Sequence, residues 1–196
     1  MKTAKHKRAW YIINGITVYR IIAAPFLLIL LFTGKVDIFK WLLALSFFTD
    51  LIDGFLARKF KVTSVLGTRL DSIGDDLTVL VAMIGLFVLK TGFVIQHKLI
   101  LILLLVLFMV QVGYAFIRYR KMTGFHTWLA KTAAFLQGIF LLLVFFTHEP
   151  SVLLFYAAAI ITMLQLIEEI ILVHLLPQWQ MNVKGLYWVL KNNNQH

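Results

Sequence analysis

Four aspartates, Asp50, Asp53, Asp71 and Asp75, stand in two pairs spaced three and four residues apart within a chain that is 61% hydrophobic. On helices both spacings bring side chains onto one face, where carboxylates repel one another. A hard divalent cation removes that repulsion: Mg²⁺ and Mn²⁺ take oxygen ligands and bridge to substrate phosphates. Four carboxylates carry enough charge for two ions, the arrangement that clamps both sides of a phosphoryl displacement. There is no cysteine, which excludes a thiolate metal site and a disulfide framework. Five of the nine acidic residues fall within 50–76. Charge is costly inside a membrane, so function is sought there.

The elements that must position these groups follow from hydropathy. A spanning helix needs about 20 mostly apolar residues, and six stretches meet that length: 16–33, 37–57, 66–90, 97–119, 127–147 and 151–175. Turn signals at Thr33-Gly34, Gly92, Gly124 and Glu149-Pro150 separate them. The expected fold is therefore an all-α integral membrane protein, one domain over 1–196, with a six-helix bundle over 16–175. Residues 1–15, basic and then aromatic at Trp10 and Tyr11, read as an interfacial amphipathic segment broken from the first span at Asn14-Gly15. Residues 176–196 read as an interfacial tail with a disordered-looking end.

The net charge of +10 does not call for nucleic acid, because the basic residues lie at the ends of apolar runs. With the N-terminus inside, fifteen of the nineteen Lys and Arg residues fall on the inner side. Both termini and the loops after spans 2 and 4 then face the cytoplasm. The aspartates lie at the cytoplasmic ends of spans 2 and 3, in the cytoplasmic membrane if the source is a bacterium.

Small residues accompany the aspartates. Gly54, Ala57 and Gly67 leave room for a bulky ligand to approach the backbone, and Arg58 can pair with a phosphate or a carboxylate. Together the positions read Asp50-x2-Asp53-Gly54-x2-Ala57-Arg58-x8-Gly67-x3-Asp71-x3-Asp75. This string resembles the signature of the CDP-alcohol phosphatidyltransferase family at every defining residue and gap. The resemblance implies transfer of a phosphatidyl group from CDP-diacylglycerol, or a similar CDP-lipid, to the hydroxyl of a small alcohol, releasing CMP. It implies that Asp50, Asp53, Asp71 and Asp75 hold the metal ions against the diphosphate and that Asp75 is also the general base. Gly54, Ala57 and Gly67 would shape the nucleotide pocket, with Arg58 supporting the phosphates or the loop. It also admits a homodimer through the membrane spans.

Other polar residues carry open readings. Thr68 and Ser72 suit either helix-end hydrogen bonds or nucleotide contact. Asn14, Thr17 and Arg20 resemble an Asn-x-x-Thr-x-x-Arg pattern that lines the nucleotide site in many relatives; the alternative is an interfacial cluster, with Arg20 near the interface. Asp76 suits a bond to Arg69 or the loop backbone. Arg118 and Lys131, with His126, offer cations for an anionic acceptor, against ordinary positive-inside anchoring. Glu168 and Glu169 could pair with Arg20 or this basic group, and Gln111, Gln137 and Gln165 could bond between helices.

Glycerol 3-phosphate is the first expectation for the acceptor, since Arg118 and Lys131 suit its phosphate and the chain is similar in size to phosphatidylglycerophosphate synthases. Two departures count against it: Asp76 stands where those synthases usually have Lys, and Val110 or Gln111 where they tend to carry a basic residue. Inositol, inositol phosphate or serine are the alternatives. Of other classes, a metal-dependent lipid phosphohydrolase would have no use for Arg118 and Lys131. A cation transporter would need polar groups through the outer half of the spans, which are nearly absent.

Overall fold

The computed structural model describes residues 2–60, 65–120, 125, 127–180 and 183–193, with side chains described outside 2–14, 51, 53–60, 65–69, 71–72 and 192–193. Every regular element among them is a helix. The chain divides into two compact units, Met1–Thr91 with Leu141–His148, and Gly92–Phe140 with Glu149–His196.

In the first unit α1 (Lys2–Phe32) packs along both α2 (Val36–Phe60) and α3 (Val65–Leu89), while α2 and α3 touch each other far less. α1 is thus the wedge between the two helices that carry the aspartates. Its small and aliphatic face, Ala23, Ala24, Leu27, Leu30 and Leu31, is buried with Phe39 and Leu43 of α2 and Val81, Ala82 and Leu86 of α3. The turn into α2 is closed at Gly34, whose φ of 73° places it in the left-handed region. Gly34 N–H donates to Leu31 O (3.2 Å) and Lys35 N–H to Leu30 O (3.0 Å), a Schellman closure that a side chain at 34 would strain. Phe39 meets Phe145 edge-on at 5.3 Å over Gly85, where an added Cβ would lie 2.8 Å from the Phe39 ring. Lys90 Nζ donates to the carbonyls of Thr147 and His148, both at 2.9 Å, tying the end of α3 to the returning segment.

The second unit takes in α4 (Thr91–Gln96), α5 (Lys98–Tyr119), α6 (Trp128–Leu143, its last three residues belonging to the first unit), α7 (Val152–Leu175) and α8 (Leu186–Asn193). α5 packs on α7. One end is an aromatic cluster of Phe93, His97, Phe140, Phe155 and Tyr156. The other is an apolar core of Ala115, Phe125, Leu172, Val173, Leu176 and Val183. Ser151 caps α7 by accepting from Leu154 N–H (3.4 Å), and Thr127 caps α6 by accepting from Ala130 N–H (3.1 Å).

Among the described residues, α1, α2, α3, α5, α6 and α7 each overlap one of the apolar stretches. Among the described residues, three contain stretches long and apolar enough to cross a membrane, Gly15–Phe32, Lys98–Tyr119 and Val152–Leu175, with Trp128–Leu143 a shorter apolar helix. Many large apolar side chains on α5, among them Leu99, Ile102, Val106, Met109 and Ile117, are exposed, as suits a helix facing lipid.

Three boundaries differ from the sequence expectation. The break at Asn14-Gly15 is absent: α1 runs unbroken over 31 residues, about 46 Å against a hydrocarbon core of about 30 Å. An interior glycine costs a helix only about 1 kcal/mol, too little to end one. The stretch 127–147 is helical only to Leu143, after which the chain turns. The tail is not merely a surface anchor: Leu186 and Val189 of α8 pack with Val183 onto the core of the second unit.

Candidate functional site

The site is built on the wedge. Arg20 projects from α1 with its side chain wholly out of solvent, and its Nη1 donates to Oδ1 of Asp50 on α2 and to Oδ1 of Asp75 on α3. A guanidinium removed from water needs charged partners, since an unpaired buried charge costs several kcal/mol; here two of the four motif aspartates supply them. The carboxylates themselves are 39% and 44% exposed, so the positive charge is buried while the negative charges stay partly accessible. Gly74 lies against the guanidinium, its absent Cβ 3.5 Å from Arg20 Cζ and Nη2. Thr17, one turn before Arg20 on α1, is also buried. Thr78 Oγ1 donates to Gly74 O (2.8 Å) one turn after the site.

Asp50 and Asp75, far apart in sequence, are therefore brought to a single nitrogen atom. Asp53, Gly54, Ala57 and Arg58 continue α2, and Gly67, Thr68 and Asp71 lead α3 towards Asp75; their side chains lie outside the described residues. So do the Asn14 side chain and the whole of His126. Asp76 is exposed. The oxygens converging on Arg20 are anionic and hard, the donor chemistry that suits Mg²⁺ or Mn²⁺. The residues present fit such an ion.

Arg20, which the sequence leaves open between the nucleotide-site pattern, an interfacial cluster and a pairing with Glu168 and Glu169, is paired with the motif aspartates Asp50 and Asp75. The Asn-x-x-Thr-x-x-Arg spacing was the available signal. The two glutamates have other partners. Glu169, buried on α7, accepts from Gln111 Nε2 (2.8 Å) of α5 and from Gln165 Nε2 (2.6 Å) of its own helix. Glu168 accepts from the Leu186 N–H (2.9 Å) at the start of α8. Gln137 Nε2 bonds Thr162 Oγ1 (2.6 Å) between α6 and α7.

The two described basic residues of the expected acceptor group belong to the second unit. Arg118 is exposed at the end of α5, where Nη2 reaches Leu176 O (3.4 Å) beside the Tyr119 hydroxyl, which contacts the carbonyls of Val173 (3.0 Å) and Leu176 (2.8 Å). Lys131 lies in the first turn of α6 with Nζ 5.2 Å from the Trp128 ring centre.

The chain matches the model of a family described as CDP-alcohol phosphatidyltransferase over residues 10–171. It is 34% identical over 73 residues to a Haemophilus influenzae protein named CDP-diacylglycerol--glycerol-3-phosphate 3-phosphatidyltransferase, covering 35% of this chain and 39% of the relative. A protein of the same name from Cereibacter sphaeroides is 36% identical over 79 residues, or 38% of this chain and 36% of the relative. The Rattus norvegicus cardiolipin synthase (CMP-forming) is 33% identical over 85 residues, or 43% of this chain and 28% of the relative. The chain thus spans less than half the length of each of these relatives. No solved structure matches it.

Proposed function

Because the chain belongs to the CDP-alcohol phosphatidyltransferase family, we propose that it transfers a phosphatidyl group from CDP-diacylglycerol, or a similar CDP-lipid, to glycerol 3-phosphate, releasing CMP. The observation that carries this reading is the meeting of Asp50 and Asp75 at one cationic nitrogen, within a motif whose eight positions all match. Asp50, Asp53, Asp71 and Asp75 would hold Mg²⁺ or Mn²⁺, in two sites. When bound, such ions neutralise charge on the diphosphate and on the displaced phosphate.

The chain's own residues supply the rest. Asp75 takes the proton of the acceptor hydroxyl as its oxygen forms the bond to the phosphatidyl phosphorus and the bond to the CMP oxygen breaks. α2 and α3, held on either side of α1, fix the carboxylates in place for an in-line displacement. Gly54, Ala57 and Gly67 leave space for the nucleotide, with Asn14, Thr17, Arg58 and Thr68 contributing polar contacts to it.

Lys131 favours an anionic acceptor. A lysine in the first turn of a helix gains nothing from the macrodipole, and its aromatic contact at an exposed site is worth only about 0.5–1 kcal/mol. A phosphate bound there would pair with the ammonium charge. The names of the two bacterial relatives support the same acceptor. The membrane arrangement we infer has six spans, with both termini and the site on the cytoplasmic side, from the distribution of Lys and Arg.

The test is purified protein with Mg²⁺ or Mn²⁺ and CDP-diacylglycerol, offered glycerol 3-phosphate, inositol, inositol phosphate and serine in turn, with CMP and lipid products measured. Glycerol 3-phosphate should release CMP and yield a phosphatidylated product. Release of CMP with water alone would make the protein a hydrolase, and no CMP with any acceptor would overturn the family reaction.

A further inference from the structure

The pairing of Arg20 has a consequence for metal binding. One atom, Nη1, contacts Oδ1 of Asp50 and Oδ1 of Asp75. Two carboxylate oxygens that share a hydrogen-bond donor lie close together, and only a positive charge between them makes that placement favourable. A divalent cation held by the same two oxygens would have to occupy the same volume. Nη1 and the cation therefore exclude each other.

We propose that Arg20 is the resident counter-ion of the metal site, holding Asp50 and Asp75 together in the metal-free protein and competing with a divalent cation for both. The inference rests on the metal-dependent reading above and adds to it a residue that opposes the ion. Arg20 is a positioning residue: it lets α1, α2 and α3 assemble before metal arrives, when the carboxylates would otherwise drive the helices apart. Binding of the ion must then displace the guanidinium from at least one carboxylate. Because the coupling is reciprocal, whatever Arg20 gives to the metal-free state it takes from metal affinity.

The experiment compares wild type, Arg20→Gln and Arg20→Lys in detergent, measuring Mn²⁺ binding by the paramagnetic resonance of free Mn²⁺ and thermal unfolding in EDTA and in saturating Mn²⁺. Arg20→Gln should bind Mn²⁺ about ten-fold more tightly, a coupling within the usual range. It should also unfold several degrees lower than wild type in EDTA, with Mn²⁺ closing most of that gap. Arg20→Lys keeps a charge but not the fork, and should bind Mn²⁺ with an affinity between the two; it serves alone if Arg20→Gln fails to fold. Unchanged or weaker Mn²⁺ binding in the variants, or a loss of stability that Mn²⁺ leaves in place, overturns the competition. If wild type binds Mn²⁺ and the variants match it, the competition alone falls. If wild type takes up none, the metal-dependent reading falls and the competition with it.

Discussion

The two units bury acidic groups in opposite ways. In the first, Arg20 is fully enclosed while its partners Asp50 and Asp75 remain partly open. In the second, the carboxylate of Glu169 is the enclosed group, and the neutral amides of Gln111 and Gln165 donate to it. An amide can hold a carboxylate but brings no charge of its own, so these two bonds fix Glu169 by geometry. The accessible aspartates around a buried cation can trade that cation for another. We assign chemistry to the first arrangement and architecture to the second, and substitutions on each side test the division.

The largest effect is expected at Asp75. Asp75→Asn keeps the shape and one acceptor oxygen for Arg20 but removes the proposed base and a charge from the proposed ion site. Turnover should fall by roughly 10²–10⁴, the span usual for loss of a general base, with more lost if metal binding also weakens. Thermal unfolding should stay cooperative. Near-normal kcat in Asp75→Asn would remove Asp75 as base. Adding EDTA to wild type should likewise abolish turnover, and Mg²⁺ or Mn²⁺ should restore it.

Next is Glu169→Gln, which leaves only one acceptor oxygen for two amide donors. A hydrogen bond to a charged group contributes about 1.5–3 kcal/mol, and the variant should lose stability in that range while turnover per folded molecule stays within about two-fold, well under the 1.4 kcal/mol of a ten-fold change. The measurement is denaturant unfolding beside steady-state kinetics. A variant of normal stability and lost activity would break the division between the units.

What could be read from the sequence follows the same line. Helix positions were legible because apolar runs of spanning length are punctuated by residues with a definite conformational role, such as Gly34 with its positive φ and Pro150 before the cap of α7. The aspartate spacing was legible as one dense pattern. The Asn-x-x-Thr-x-x-Arg spacing marked Arg20 but not its partners: counting positive charges by side treats every Arg alike, and only packing shows that this one turns inward from α1 to Asp50 and Asp75. Glu168 and Glu169 are adjacent and so point about 100° apart on a helix; one finds the tail and the other the amides of α5 and α7. The docking of α8 had a signal, apolar Leu186 and Val189 three residues apart, but one turn is too short a pattern to override a polar, aromatic tail.

A smaller effect is expected at Lys131, the described residue of the second unit with the best claim to chemistry. Lys131→Gln should raise KM for glycerol 3-phosphate about ten-fold, or roughly 1.4 kcal/mol, leave the KM for CDP-diacylglycerol unchanged, and barely move stability. An unchanged KM for the acceptor would return Lys131 to its contact with Trp128 and leave the second unit purely architectural.

The smallest effect should come from the junction of tail and bundle. Gly185 has a φ of 149°, a conformation glycine adopts freely and other residues resist. A Cβ there would lie 3.1 Å from Glu168 Oε1 and 3.3 Å from the Trp188 ring, at the carboxylate that receives the Leu186 N–H. Gly185→Ala should therefore cost about 1 kcal/mol, loosening α8 from α7 and speeding amide exchange at Leu186 and Val189, with kcat unaltered. The same substitution made in Glu168→Ala, where the crowded oxygen is gone, should cost less, leaving only the backbone strain at 185. Equal costs in the two backgrounds would show that Glu168 does not hold the tail, and a fall in kcat without loss of stability would place α8 in the chemistry of the first unit.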